Sequence, residues 1–132
     1  MGPLHHVGVI MRNERALNDH MVLMGLEEDY RGYVEAWDAL CVFTKATAGA
    51  SPVEFVIAGG GSLKAFNRGL GGVHHLAYRV ADLHAAQRDL AERGAKCLQP
   101  FGIKGAGPFL CGFIDPIYTG NALIELVQEI AP

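Results

Sequence analysis

Residues 4–11 read LHHVGVIM, and residues 73–80 read VHHLAYRV. Each is an apolar residue, two histidines and then an alternating run of the kind that forms a half-buried strand. A second pair of motifs recurs further along: VEFV at 53–56 returns as IELV at 124–127. The offset from Glu54 to Glu125 nearly equals the offset from His6 to His75. Two different motifs recurring at almost one offset indicate a duplication of about 70 residues.

The segments between the motifs correspond as well. After the first strand, NERALNDHMVLMGL at 13–26 places Ala16, Leu17, His20, Met21 and Met24 near helical spacing, with Gly25 as a stop. After the second, ADLHAAQRDLAERGA at 81–95 has Asp82 as N-cap, an apolar face through Leu83, Ala86, Gln87, Leu90 and Ala91, and Gly94 at its end. Short β-rich runs follow each helix, at 28–34, 39–45 and 52–58, and again at 96–100, 109–115 and 121–128. The pattern predicts an α+β protein made of two βαβββ modules, residues 1–58 and 73–132, fused into one domain. The stretch GGGSLKAFNRGLGG at 59–72 reads as the linker, with one helical turn at 62–68.

Composition narrows the function classes. Half of the 132 residues are hydrophobic, enough for a packed core, and the net charge of -3 carries no basic footprint for nucleic acid. The apolar runs stop well short of the ~20 residues of a membrane-spanning helix. The N-terminus lacks a basic region followed by a long apolar stretch, so no secretory signal is expected. Cys41, Cys97 and Cys111 are odd in number and show no CxxC spacing, which points to free thiols in a reducing, cytoplasmic setting.

Strand alternation sorts the polar residues. If Val7 and Val9 lie under the helix, His6 faces the other side of its strand; if Leu76, Tyr78 and Val80 do so, His75 does the same. In the fourth strand of each module, Val53, Phe55 and Ile57, and Ile124 and Leu126, form the apolar face, and Glu54 and Glu125 point away from it. A carboxylate in mid-strand with apolar neighbours is costly unless it is compensated. Two histidines and two carboxylates, His6, Glu54, His75 and Glu125, make a divalent-metal site suited to Mn, Fe, Co, Ni or Zn, with room for substrate oxygens. His5 and His74 are expected to be packing or capping groups on the opposite side, and His20 and His84 to be helix-surface residues.

LHHVGVI, GGVHHLAYRVADL, AERGA, KGAGPF and DPIYTGNALIELVQ make the chain resemble the vicinal oxygen chelate (glyoxalase/bleomycin resistance/dioxygenase) superfamily, with its second half most similar to methylmalonyl-CoA epimerase. The resemblance implies an open, cup-like mixed β-sheet and one metal ligand on the first and fourth strands of each module. On this chain those positions are His6, Glu54, His75 and Glu125. Glyoxalase I enzymes resemble one another in an Arg four residues after the first His and an Asn four residues after the first Glu; here those positions are Ile10 and Ala58, unsuited to holding glutathione.

The resemblance further implies a divalent-metal-dependent isomerase or lyase that stabilises the enolate of a carbonyl or acyl-CoA substrate, with Glu125 as both ligand and base. A second catalytic carboxylate would lie on the second or third strand of the first module. Two positions answer to it: Glu35 in GYVEAW, and, by alternation through DALCVF, Cys41. The alternative from another class is a bleomycin-resistance-like protein that sequesters a small molecule without chemistry; four retained ligand types favour the enzyme. Exposed sheet edges and apolar strand faces point to a homodimer.

Overall fold

The computed structural model describes residues 1–46 and 51–131. The chain forms two compact units: His6–His74, and Met1–His5 together with the chain from His75 onward.

In the first unit, β1 (Leu4–Ile10) leads into α1 (Glu14–Met24), followed by β2 (Glu28–Val34), β3 (Ala39–Thr44) and β4 (Val53–Ala58). The strands lie in the order β2-β3-β4-β1. β1 and β4 are parallel, with Val7 beside Val53 and Val9 beside Phe55, and the other two pairings are antiparallel. The helix begins where Asn13 Oδ1 accepts the Ala16 N–H at 2.8 Å. It ends at Gly25, whose φ of 65° is the left-handed conformation that favours glycine. Leu17 is fully buried against Val42 and Phe55, with Val9, Val53 and Ile57 around them. This is the apolar face that alternation assigned to the helix. Arg31 ties the helix to β2, donating to Glu14 and Glu28, each at 3.0 Å, and it holds the Glu28 carboxyl below its usual range.

α2 (Gly61–Ala65) and a 3-10 turn (Phe66–Gly69) follow β4, two short helical elements where one turn was expected at 62–68.

The second unit repeats the plan: β5 (Gly72–Arg79), α3 (Leu83–Glu92), β6 (Ile103–Lys104), β7 (Phe109–Phe113) and β8 (Ile124–Glu129), with the strands in the order β5-β8-β7-β6. β5 and β8 are parallel, with Leu76 beside Ile124 and Tyr78 beside Leu126. Asp82 Oδ1 caps α3 by accepting the Ala85 N–H at 3.0 Å. Leu83, Ile114 and Leu126 form the core under it.

One element differs from expectation. Residues 96–100 do not form a strand: they make a single bridge, Cys97 with Ile114, and the second strand of this unit is the short β6. Two backbone bonds flank that bridge, Leu98 N–H to the Phe113 carbonyl at 2.8 Å and Asp115 N–H to the Lys96 carbonyl at 2.9 Å, and from Gln99 onward side chains take over. Gln99 Oε1 accepts the Phe113 N–H at 2.7 Å, Gln87 Nε2 donates to the Gln99 carbonyl at 2.8 Å, and Pro100 has no N–H to give. Among the described residues no helix is long and apolar enough to cross a membrane.

Candidate functional site

Each unit holds one buried histidine–carboxylate pair, built by the same local rule. In the first, the parallel register sets Gly8 beside Glu54. His6 lies two residues earlier on the same face of β1, diagonal to the carboxylate. His6 Nε2 stands 3.5 Å from Glu54 Oε1, and the two residues are 1% and 6% exposed. In the second unit Ala77 lies beside Glu125, and His75 is the diagonal neighbour. Its Nε2 is 3.3 Å from Glu125 Oε1, at 5% and 2% exposure. Gly8 and Ala77, with little or no side chain, leave the space into which the imidazole and the carboxylate turn.

A third member of each group was missed in the sequence. Phe43 sits opposite Glu54 in the β3–β4 register and meets the His6 ring edge-on, with centroids 5.3 Å apart. Phe113 sits opposite Glu125 in the β7–β8 register and meets the His75 ring edge-on at 5.2 Å. The two rings fix the imidazole planes in the same way. The signal was present: LCVF at 40–43 returns as LCGF at 110–113, in step with the other repeated motifs.

Both imidazole–carboxylate distances exceed the roughly 2.7–3.2 Å of a good N–H···O hydrogen bond. Each pair presents a nitrogen and an oxygen donor side by side in a buried setting, where a carboxylate is stable only when its charge is compensated by its neighbours or by an ion. A divalent cation would supply that compensation, and the N and O donor types fit the transition metals expected from the sequence.

The other expected residues are distributed as follows. Glu35 opens an exposed 3-10 turn, Glu35–Trp37, between β2 and β3. Cys41 is buried in β3 opposite Val56, on the face that carries Glu54. His5 is 3.5 Å from Glu129 and packs on Phe109, and His74 packs edge-on against Phe66 at 5.0 Å. His20 is half-buried against Phe55 at 5.4 Å rather than lying on the helix surface, because its position on α1 turns it toward β4. His84 stays exposed and lines a shallow cavity of about 570 Å³ on the outer side of α3. Leu126 packs under α3, so its sequence neighbour Glu125 points away from that cavity's side of the sheet. In the same cavity burial pushes the Cys97 thiol up, and a hydrogen bond with Gln87 offsets part of the shift.

A family model described as glyoxalase/bleomycin resistance protein/dioxygenase superfamily matches residues 5–111. A search of the curated proteins finds no match. Among solved structures the chain is similar to methylmalonyl-CoA epimerase from Mycobacterium tuberculosis, at 24% identity and a TM-score of 0.88, over 98% of this chain and 89% of that one. It is similar at 21% identity and a TM-score of 0.88 to a methylmalonyl-CoA epimerase in complex with methylmalonyl-CoA and NH4+, over 99% of this chain and 96% of that one. A Streptomyces coelicolor methylmalonyl-CoA epimerase variant in complex with 2-nitronate-propionyl-CoA matches at 21% identity and a TM-score of 0.87, over 99% of each chain. At these identities the likeness establishes the fold.

Proposed function

Since the chain belongs to the glyoxalase/bleomycin resistance protein/dioxygenase superfamily, we propose that it is a divalent-metal-dependent enzyme of the epimerase type, acting on an acyl thioester or a related carbonyl substrate. The observation that carries the reading is the repeated pair: His6 with Glu54 and His75 with Glu125, all four buried, each pair backed by an edge-on phenylalanine. A binding protein that only shelters an apolar molecule has no need of the same histidine–carboxylate pair in both units, whereas a metal site uses N and O donors of this kind.

In this reading His6, Glu54, His75 and Glu125 together hold one ion of Co, Ni, Zn, Mn or Fe. When bound, it supplies Lewis-acid stabilisation of the charge that develops on a substrate carbonyl oxygen. Glu125 takes the proton from the α-carbon and the C–H pair moves into the carbonyl to give the enolate; a second acid on the opposite face, Glu35 or the Cys41 thiol, gives its own proton to that face and so completes epimerisation. His75 orients the Glu125 carboxylate, and Phe113 keeps the imidazole in plane. The exposed turn that carries Glu35, and the buried place of Cys41 on the Glu54 face, favour Cys41 over Glu35 for that second proton transfer.

The experiment is exchange of α-hydrogen for deuterium in D2O, with methylmalonyl-CoA as the first probe and other α-acidic thioesters in a panel. The expected result is exchange that requires metal, is lost in Glu125→Gln and survives in Glu35→Gln. Loss in Glu35→Gln would give the second proton transfer to Glu35. Tight, metal-independent binding of an apolar compound with no exchange across the panel would replace the enzyme reading by sequestration.

A further inference from the structure

Four residues beyond His6 and Glu54, on the same strand faces, stand Ile10 and Ala58, which are 3% and 5% exposed. With Met11, Arg12, Lys64 and Gly69 they line a half-enclosed cavity of about 100 Å³. The linker builds its outer wall. α2 contributes Lys64, and the following turn folds back on the end of β1, where Gly71 lies so close that any side chain there would collide with the Ile10 carbonyl oxygen. Asn67 Nδ2 donates to the Gly71 carbonyl at 2.8 Å and pins that return. The floor is therefore apolar and the rim carries a guanidinium and an ammonium. No carboxylate lines the cavity, and among the described residues neither Arg12 nor Lys64 has an acidic partner.

Arg12 and Lys64, both exposed and with no carboxylate among the residues that line the cavity, suit an anion over the apolar floor, and a guanidinium together with an ammonium suits a phosphate in particular. Four residues along a strand span about 13 Å at roughly 3.3 Å per residue, a distance of the order of an extended pantetheine arm. We propose that this cavity receives a phosphate of the substrate's CoA handle, with Arg12 and Lys64 as its binding residues. The inference rests on the thioester reading above. It adds what selects a CoA ester over a short acyl compound, and it explains how Ile10 and Ala58 serve the chain: they make the floor on which the phosphate sits.

The test separates binding from chemistry. CoA binding to the metal-loaded full chain is measured by calorimetry for the wild type, Arg12→Gln, Lys64→Gln and the double variant Arg12→Glu/Lys64→Glu. Each neutral change should weaken CoA by about fivefold to tenfold, and the double reversal by a hundredfold or more, roughly 1 to 3 kcal/mol on the scale of 1.4 kcal/mol per tenfold. The wild-type affinity should also fall steeply with salt. With methylmalonyl-CoA the same variants should raise KM far more than they lower kcat, and with the phosphate-free methylmalonyl-pantetheine the difference between variants and wild type should vanish. Wild-type CoA affinity in the double reversal, or no CoA binding by the wild type, overturns the inference even if α-hydrogen exchange is found. Inorganic phosphate binding as tightly as CoA also overturns it, in favour of a free-anion site. CoA binding that the variants abolish, with no exchange on any thioester, upholds this inference and defeats the epimerase reading instead.

Discussion

His75 and Glu125 are diagonal neighbours on the parallel strands β5 and β8, with the imidazole Nε2 3.3 Å from the carboxylate oxygen and both side chains buried. A cation held by such groups in the native state and not in the unfolded chain stabilises the fold. A chelator should therefore lower stability as well as activity. With metal at about a thousandfold over its dissociation constant, the loss should approach ~4 kcal/mol, which corresponds to roughly 15 °C in midpoint for a chain of this size. Scanning calorimetry with and without EDTA checks this; equal midpoints would speak against a metal held in the native state.

The edge-on rings of Phe43 and Phe113 should matter to the site more than to the fold. Phe113→Leu keeps an apolar side chain in place, and its stability cost should be about 1 kcal/mol, of the size of one aromatic contact. It releases the His75 ring plane, so metal affinity should fall more steeply than the urea midpoint implies. Phe43→Leu should behave alike toward His6. A variant that loses stability but holds metal as tightly as the wild type would remove the orienting role.

Gly71 is a position where only glycine fits. Its φ is 78°, and an added Cβ would strike the carbonyl oxygen of Ile10. Gly71→Ala should cost about 1–3 kcal/mol from backbone strain and local displacement. Urea denaturation gives the number, and a midpoint equal to wild type would show that the linker does not press on β1 as described. Gly25→Ala, also at positive φ but with open space around the added carbon, is the comparison and should cost less.

Assembly is testable from the surface. Val22, Leu23, Leu70, Val73 and Phe101 range from 65% to 83% exposed. Large apolar side chains left in water are the kind that a second copy can cover. Light scattering at micromolar concentration should give twice the 14.2 kDa chain mass, and a species at the chain mass alone would reject the homodimer.

The duplication made much of this legible in the sequence. His6 and His75, or Glu54 and Glu125, would be ordinary strand residues singly; their recurrence at nearly one offset set them apart, and strand alternation put each on the face away from its helix. The two parallel registers agree with that assignment. Phe43 and Phe113 escaped notice because an aromatic residue in a strand reads as ordinary core, and only the antiparallel register sets them opposite the glutamates. The expected strand at 96–100 failed because Gln87 and Gln99 take backbone partners that a ladder would have used, a tertiary choice that local pattern does not encode. The cavity at Arg12 and Lys64 depends on the linker folding back at Gly71, and nothing in the spacing of those two cations announces it.

The central claim is that His6, Glu54, His75 and Glu125 act as one site. Titration of metal-free protein with Co²⁺ or Zn²⁺, followed by calorimetry and checked by elemental analysis, tests it most directly. One equivalent per chain is expected, reduced at least a hundredfold in affinity by His6→Ala and equally by His75→Ala, since each removes a proposed ligand of the same ion. Two independent equivalents, no binding, or a His75→Ala protein that holds metal as the wild type does would contradict it.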